Sequence, residues 1–193
     1  MILMIKKDKE NNEVVIMIIE TERLILKQMT KNDFNSLKSL LQDKDVMYAY
    51  EHAFSDEECE TWFNNQLNRY KEKGYGLLGV FLKENNTFIG QAGITKQNVN
   101  NNIVDEIGYL IKKEYWKNGY AIECAKALKQ YGFNTLNLNK MYSIIRDNNI
   151  ASQNIAIRNN MKKTITIVKH YYNIDMPHYV YCITKDEFLK ERN

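Results

Sequence analysis

The segment EYWKNGYAIECAKAL, residues 114–128, places a glycine where an amphipathic helix should begin. The first turn of a helix leaves backbone N–H groups without intrahelical acceptors, and the helix dipole adds partial positive charge there. A residue without a side chain lets an anion approach that backbone closely. Lys112, Lys113 and Lys117 add positive charge nearby. Gly119 therefore predicts a phosphate-binding turn, although a glycine that merely eases a turn would fit the same residues.

The segments around this turn alternate between strand-like and helical patterns. In MIIETERLILKQM (17–29), Leu24 and Leu26 alternate with Arg23, Ile25 and Lys27, which predicts a strand. Further strands are predicted in GLLGVFLKE (76–84), TFIGQAGITKQ (87–97), VDEIGYLIK (104–112), KMYSIIR (140–146), TITIVKHYY (164–172) and HYVYCIT (178–184). Helices are predicted after Thr30, after Ser55, from Gly119, and over ASQNIAIRNN (151–160). The resulting order, βααβββαβαββ, predicts an α/β fold in which the fourth strand leads directly into the turn at Gly119.

The ends of the helices and of the domain have their own signals. Ser55 followed by Glu58 is typical of a capping box, and Gly74 predicts the end of that helix. No linker or repeat divides the chain, so we expect a flexible N-terminal extension over 1–16 and a single domain over 17–193. An alternative, in which residues 14–19 form an additional edge strand, is equally compatible with the sequence.

Composition excludes several classes of protein. The 193 residues carry a formal net charge of +3 that is spread along the chain, which argues against a nucleic-acid binder. Three cysteines and three histidines show no metal-ligand spacing, so we expect no metal and free thiols. No secretory signal or membrane-spanning run is recognisable. We therefore expect a cytoplasmic protein with no membrane partner.

Two segments in this order, GYLIKKEYWKNGYAIECAKAL and NNIASQNIAIRNNM, resemble the GCN5-related N-acetyltransferase (GNAT) family. The likeness is greatest to its ribosomal-protein alanine N-acetyltransferase-like branch, and it includes the ETERLIL, GQAGI and MPHYVY segments. It implies a mixed, mostly antiparallel sheet that splays open between the fourth and fifth predicted strands, with helices on both faces. It also implies acetyl-CoA as co-substrate, bound in the gap between those strands.

The resemblance assigns a cofactor-binding stretch. The family's Q/R-x-x-G-x-G/A loop falls on residues 116–121, where Trp116 replaces the usual glutamine or arginine. Its backbone is implied to bind the pyrophosphate, and the strand before it to pair with the pantetheine arm. The residues so assigned are Leu110, Ile111, Lys117, Asn118, Gly119, Tyr120 and Ala121.

Acetyl transfer to an amine requires loss of a proton from the substrate ammonium and stabilisation of the leaving thiolate. Many members of the family are similar in having a tyrosine that acts as the general acid. In this sequence Ala156 stands at the matching position. The resemblance to the ribosomal-protein branch implies instead a serine in the pattern N-x-x-S, which falls on Asn149 and Ser152. The plainer interpretation of these two is a helix cap and a first-turn residue.

For the base, Asp105 and Glu106 lie on the strand that leads to the cofactor turn. Neighbouring strand residues face opposite ways, so only one of the two carboxylates faces the cleft. We favour Glu106, acting through water, although a solvent-facing charge would explain it equally well. Candidates for binding the amine lie in the aromatic segment MYAYEHAF (47–54) and near the chain's end: Tyr50, Glu51, His52 and His178.

These assignments predict an acetyl-CoA-dependent N-acetyltransferase, monomeric or homodimeric, that acts on a primary amine by direct attack in a ternary complex. A protein N-terminus and a small amine are not separable at this level. The alternative is a non-catalytic acyl-CoA-binding or regulatory module with the same fold, which the missing tyrosine at Ala156 favours and which Glu106 and Ser152 oppose.

Overall fold

A computed structural model describes residues 18–171 and 173–191. The predicted extension over 1–16 lies outside the described residues, as do residues 14–17 of the alternative edge strand. Ile18–Glu20, however, forms a strand (β1) that pairs antiparallel with the next one. An edge strand therefore precedes the ETERLIL strand, in agreement with that alternative over the residues described.

Eight strands and five helices follow one another in the described chain, with short 3-10 turns between some of them. The remaining strands are β2 (Leu24–Lys27), β3 (Leu77–Leu82), β4 (Phe88–Val99), β5 (Asn102–Ile111), β6 (Lys140–Arg146), β7 (Lys162–Tyr171) and β8 (Ile174–Thr184). The helices are α1 (Phe34–Leu41), α2 (Asp56–Lys73), α3 (Tyr120–Asn134), α4 (Ile150–Arg158) and α5 (Lys185–Lys190).

The strands form one sheet in the order β1-β2-β3-β4-β5-β6-β8-β7. The pairs β1–β2, β2–β3, β3–β4, β6–β8 and β7–β8 are antiparallel. Strands β5 and β6 run parallel and are in register at one pair, Glu106 opposite Tyr142. The predicted mixed, mostly antiparallel α/β sheet is thus confirmed, with two additions to the predicted order: strand β1 and helix α5.

The chain divides into two compact units. The first comprises the described residues up to Gly93 together with Tyr109–Ala127, and the second comprises Ile94–Gly108 and the described residues from Leu128 onward. In the first unit, α1 and α2 bury an apolar core against the sheet. Its fully or almost fully buried members are Met29, Leu37, Leu40, Leu41, Val46, Met47, Cys59, Phe63, Phe81 and Phe88.

The second unit has a smaller apolar cluster on its strands. Val99, Val104, Ile167 and Val180 are buried there, and Tyr142 and Ile144 pack against them. Burial of such side chains contributes roughly 1.5–3 kcal/mol each, which stabilises the elements on which they lie.

Most local signals act as predicted. The Ser55 hydroxyl accepts the Glu58 N–H at 3.2 Å and the Glu58 carboxylate accepts the Ser55 N–H at 2.8 Å, so the capping box is confirmed. Gly74 ends α2 with φ of 71°. Two features differ from the prediction: the aromatic segment contains a 3-10 turn, Met47–Tyr50, and the additional helix α5 begins with a capping box of its own, Thr184 with Glu187.

Candidate active site

The predicted phosphate turn lies in the first unit, between β5 and α3. The chain leaves β5 at Ile111, makes a 3-10 turn over Lys113–Tyr115, and enters α3 at Tyr120. The Trp116 indole Nε1–H donates to the Ile111 carbonyl oxygen at 2.7 Å. This bond folds the turn back on the end of the strand, which gives the aromatic residue at the first motif position a structural role.

Backbone conformation explains the glycine. Gly119 has φ of 82°, a left-handed value that side-chain-bearing residues rarely adopt. A Cβ built on it would meet Arg23 Nη2 at 3.5 Å and nothing else within 4 Å. Conformation rather than crowding therefore requires glycine at this position. Lys117 also has a positive φ, of 63°, so the turn contains two left-handed residues within three positions.

The positive charge at this turn is arranged differently from the sequence-based expectation. Lys113 Nζ forms an ion pair with Asp45 at 2.6 Å. Arg23, which the sequence analysis did not single out, donates from Nη1 to the Asn118 carbonyl oxygen at 3.0 Å. Its guanidinium lies over the Tyr120 ring, 4.5 Å from the centroid. The only sequence signal for Arg23 was its place in the ETERLIL segment, which assigned it no role.

The strand before the turn is held closely by its neighbour. The Lys112 N–H donates to the Ile89 carbonyl oxygen at 2.8 Å. A Cβ added to Gly90 would lie 2.2 Å from the Leu110 carbonyl oxygen, so only glycine fits there. Leu110 packs against the core of the first unit, and Ile111 is buried. The backbone at Leu110 and Ile111 is thus fixed in place just before the turn.

Glu106, the predicted base, lies on β5 in the second unit. Its side chain is half-buried, and Oε1 accepts the backbone N–H of Ile144 at 3.1 Å. Burial raises the pKa of Glu106 to about 7, and the positive charge of Lys169 and the Ile144 N–H oppose that rise. A carboxyl group with this pKa is ionised and protonated in comparable amounts near neutral pH, which suits it to proton transfer. The bond to Ile144 also gives it a structural role on β6.

The neighbouring carboxylate has a different environment. Asp105 forms an ion pair with Lys96 at 2.7 Å in the same unit, and its side chain is 13% exposed. The two adjacent carboxylates are therefore distinguished by their partners: a lysine holds Asp105, whereas a backbone N–H holds Glu106.

Asn149 and Ser152 lie at the start of α4, also in the second unit. Asn149 is the N-cap, and its Oδ1 accepts the Ser152 N–H at 3.0 Å. The interpretation of Asn149 as a cap is therefore confirmed. Ser152 is half-buried in the first turn. Ala156, one turn further on, occupies the position at which many family members have a tyrosine, and it is buried, at 2% exposure.

The predicted amine-binding residues are divided between the units. His178, on β8 of the second unit, is 8% exposed, and its Nδ1 bonds to the Met176 carbonyl oxygen at 2.8 Å. Since a carbonyl oxygen only accepts, Nδ1 carries the hydrogen and Nε2 carries the lone pair. Burial lowers the pKa of His178, with the Met176 bond acting in the opposite direction. The imidazole is therefore neutral at neutral pH, with an acceptor nitrogen.

The other three, Tyr50, Glu51 and His52, lie in the first unit. The Tyr50 ring packs edge-on against Phe54 and Trp62, with centroids 6.2 Å apart in both pairs. Glu51 has φ of 73° and ends the 3-10 turn. His52 Nε2 lies 3.0 Å from the Glu58 carboxylate. These contacts give the segment a defined conformation.

Residues 18–171 and 173–191 contain neither a metal-binding cluster nor a membrane-spanning helix. Within them, His, Cys, Asp and Glu side chains form no group of three or more that could hold a metal ion. No helix among them has the length and apolar character needed to cross a membrane.

Comparison with known proteins points to one family. An acetyltransferase (GNAT) domain model matches residues 23–162. The uncharacterized protein YkkB of Bacillus subtilis (strain 168) is 38% identical over 152 residues, covering 77% of this chain and 87% of that protein. The crystal structure of an acetyltransferase (GNAT family) from Bacillus anthracis is 24% identical, with a TM-score of 0.76, covering 89% of this chain and all (100%) of that one.

A second solved structure is that of RimL, a ribosomal L7/L12 alpha-N-protein acetyltransferase, in complex with coenzyme A. It is 17% identical, with a TM-score of 0.72, and the likeness covers 88% of this chain and 99% of that one. At this identity the likeness concerns the fold. The matched segment of the family model contains both the Gly119 turn and Glu106.

Proposed function

Because the chain belongs to the acetyltransferase (GNAT) domain family, we propose that it transfers the acetyl group of acetyl-CoA to a primary amine by direct attack in a ternary complex. The family implies acetyl transfer, and the acceptor is proposed here as a protein N-terminus or a small amine. Glu106 carries the proposal of catalysis, because burial raises its pKa to about 7 in the strand that leads to the predicted cofactor turn. A carboxyl group at the protein surface would be fully ionised and a much weaker base.

The turn at residues 117–121 is proposed to bind the pyrophosphate of acetyl-CoA. Its left-handed Gly119 and the N-terminus of α3 offer backbone N–H groups and a favourable dipole to an anion. The backbone of Leu110 and Ile111 is proposed to pair with the pantetheine arm. In this proposal the arm runs from the phosphate turn back along β5, with the thioester at its far end. Asn118, Tyr120 and Ala121 contribute through their main chain.

The proposed reaction assigns one task to each catalytic group. Glu106, directly or through a water molecule, removes a proton from the substrate ammonium. The neutral amine attacks the thioester carbonyl carbon, and the nitrogen of the resulting tetrahedral intermediate loses its extra proton to solvent. The intermediate then collapses with cleavage of the C–S bond. The products are the amide and CoA thiolate, which Ser152 stabilises by donating a hydrogen bond until a proton from solvent neutralises it. Asn149 holds the first turn of α4 and thereby the position of Ser152.

Amine recognition is proposed for four residues. The lone pair on Nε2 of His178 is an acceptor suited to an ammonium or amine N–H. Tyr50 offers an aromatic face to a cation, and Glu51 and His52 flank it along the chain. The aromatic ring of Tyr50 and the carboxylate of Glu51 favour a cationic acceptor over a neutral one.

The alternative function is a non-catalytic acyl-CoA-binding or regulatory module, which Ala156 in place of the family's tyrosine supports. A thiol-release assay with acetyl-CoA, run against a panel of small amines and N-terminal peptides, separates the two. We expect turnover with at least one amine. Tight binding of CoA without turnover on any member of the panel would favour the binding module.

A further inference from the structure

The contacts of Arg23 go beyond those needed to fold the turn between β1 and β2. Arg23 directly precedes β2, yet it reaches the first turn of α3, about 100 residues later in the chain. There it meets Glu123, whose carboxylate accepts two hydrogen bonds from Arg23, from the backbone N–H at 2.9 Å and from Nε at 2.8 Å. Nη2 of the same guanidinium lies 2.7 Å from the carboxylate and completes an ion pair.

Thr21 completes the set of donors around this carboxylate. Its hydroxyl donates to Glu123 Oε1 at 2.6 Å. Burial of Glu123 disfavours its ionisation, but the bonds from Thr21 and Arg23 outweigh this and hold the pKa below its ordinary value. Glu123 is therefore ionised at neutral pH, and its side chain, which is 16% exposed, is paired with the Arg23 guanidinium, whose Nε and Nη2 both contact Oε2.

The same guanidinium also fixes the peptide group before Gly119. Nη1 donates to the Asn118 carbonyl oxygen at 3.0 Å. In a trans peptide the carbonyl and the following N–H point in opposite directions. With the Asn118 carbonyl held against Arg23, the N–H of Gly119 must point away from Arg23. The Glu123 N–H donates to the Gly119 carbonyl oxygen at 3.1 Å, so the residue that binds Arg23 also closes the first helical turn.

We infer that Arg23 is a positioning residue for pyrophosphate binding: it orients the 118–119 peptide and neutralises Glu123 at the N-terminus of α3. This inference rests on the proposed binding of CoA at the turn. An unpaired Glu123 carboxylate in the first turn would repel a diphosphate. Without the bond from Arg23, the 118–119 peptide would be free to rotate and turn the Gly119 N–H away from the diphosphate. Arg23 prevents both with one side chain, whose Nε and Nη2 contact the carboxylate while Nη1 contacts the carbonyl oxygen. A lysine, as a single point charge, cannot make these contacts together.

The test compares CoA binding by titration calorimetry in Arg23→Met, Arg23→Lys and the wild-type protein. A misplacement of about 1 Å at a binding group can cost about a hundredfold, so we expect Arg23→Met to bind CoA ten- to a hundredfold more weakly. Arg23→Lys should fall between the two. With acetyl-CoA as the varied substrate, KM should rise by a similar factor while kcat at saturation stays near the wild-type value.

Lys83→Met is the matched control. Lys83 Nζ donates to the Thr21 carbonyl oxygen at 2.5 Å and lies 3.3 Å from Glu20, so this change removes a cation from the same segment without touching α3. We expect its CoA affinity to equal that of the wild type. The double variant Arg23→Met/Glu123→Gln should recover part of the loss seen in Arg23→Met, because the unpaired carboxylate is gone.

The outcomes separate the inference from the proposed function. A wild-type protein that does not bind CoA contradicts both. A wild-type protein that binds CoA, with a folded Arg23→Met variant of equal affinity, overturns the inference alone. Equal losses in Lys83→Met and Arg23→Met would reduce the role of Arg23 to its charge and would also overturn it. If Arg23→Met fails to fold by circular dichroism, Arg23→Lys decides the question by whether CoA affinity falls.

Discussion

The Gly119 turn in the first unit and Glu106 in the second represent two ways of building a functional group. At the turn, main-chain geometry is the functional feature: two left-handed residues, a helix N-terminus, and a guanidinium that holds one peptide. At Glu106, the feature is the environment of one side chain, whose pKa is raised to about 7 by burial. The first depends on local conformation, and the second on the packing of strands distant in sequence.

This difference has a consequence for substitutions. A change at the turn should act on the affinity for CoA and leave the chemical step intact. A change at Glu106 should act on the chemical step and on its pH dependence while leaving CoA affinity intact. Single substitutions at each of the two places test that separation.

The largest expected effect is on turnover in Glu106→Gln. General base catalysis is typically worth ~10²–10⁴-fold, so kcat should fall by that order. CoA affinity should stay within about twofold of the wild type. In the wild type, kcat should fall as the pH drops below about 7, because Glu106 becomes protonated, and this dependence should be absent from the variant. Steady-state kinetics across pH, with CoA calorimetry, measures both quantities.

Asp105→Asn is the matched control, because it also removes a carboxylate from β5, one position before Glu106. Its ion pair with Lys96 is lost, but we expect kcat close to that of the wild type. The reverse pattern, a large loss in Asp105→Asn and none in Glu106→Gln, would assign the base to the other face of β5.

The second prediction concerns the pH dependence of stability. The pKa of Glu106 is about 7 in the folded protein, against an ordinary value of 4.5. Folding therefore favours the protonated form: its contribution is fully present below about pH 4.5 and is lost as the pH rises to about 7. At 1.36 kcal/mol per pKa unit, the loss is about 3 kcal/mol. Chemical denaturation at several pH values should show this decline in the wild type relative to Glu106→Gln, which has no carboxyl group to titrate. A constant difference between the two proteins would contradict the raised pKa.

Local signals allowed much of the first unit to be predicted. Ser55 and Glu58 cap α2 as expected, and Gly74 ends it, because these residue types act through contacts within a few positions. The Gly119 turn was predictable for the same reason. Arg23 was not, since its partner Glu123 lies 100 residues away and only the folded chain brings them together.

The second unit shows the limit more clearly. Strand alternation predicts that Asp105 and Glu106 face opposite ways. Which of the two acts as the base depends on their partners, Lys96 and Ile144, which other strands supply. The pKa of Glu106 depends on burial, which sequence does not reveal. Helix α5 was missed because it is only six residues long and follows directly from β8.

The third prediction tests the turn. Gly119→Val places a β-branched residue at φ of 82°, a conformation that costs of order 1–3 kcal/mol for such a side chain. The turn should relax away from its binding geometry, and CoA affinity should fall roughly 10- to 100-fold, with kcat at saturating acetyl-CoA little changed. Calorimetry measures the affinity, and circular dichroism checks that the variant is folded.

Lys117→Gly controls for charge in the same turn. Glycine accommodates the φ of 63° at this position, so the backbone stays intact and only the ammonium is lost. We expect a loss of CoA affinity of no more than a few fold. If Lys117→Gly weakened binding as much as Gly119→Val, charge rather than main-chain geometry would explain the site.

The smallest expected effects separate two residues at the start of α4. Asn149 caps the helix through the backbone N–H of Ser152, so the Ser152 hydroxyl is not needed for this bond. Asn149→Ala should therefore cost about 1 kcal/mol of stability. Ser152→Ala should lower kcat about 10- to 100-fold, because a donor to the developing thiolate is lost. The effect is at the low end of the ~10²–10³-fold that is typical for an oxyanion, since a sulfur acceptor is softer. The KM for acetyl-CoA should stay constant, since that bond strengthens only as charge develops. Thermal melting and kcat, measured on the same preparation of each variant, give both values. A Ser152→Ala protein that turns over normally would leave α4 with a purely structural start, and the thiolate would then have to be stabilised by another group.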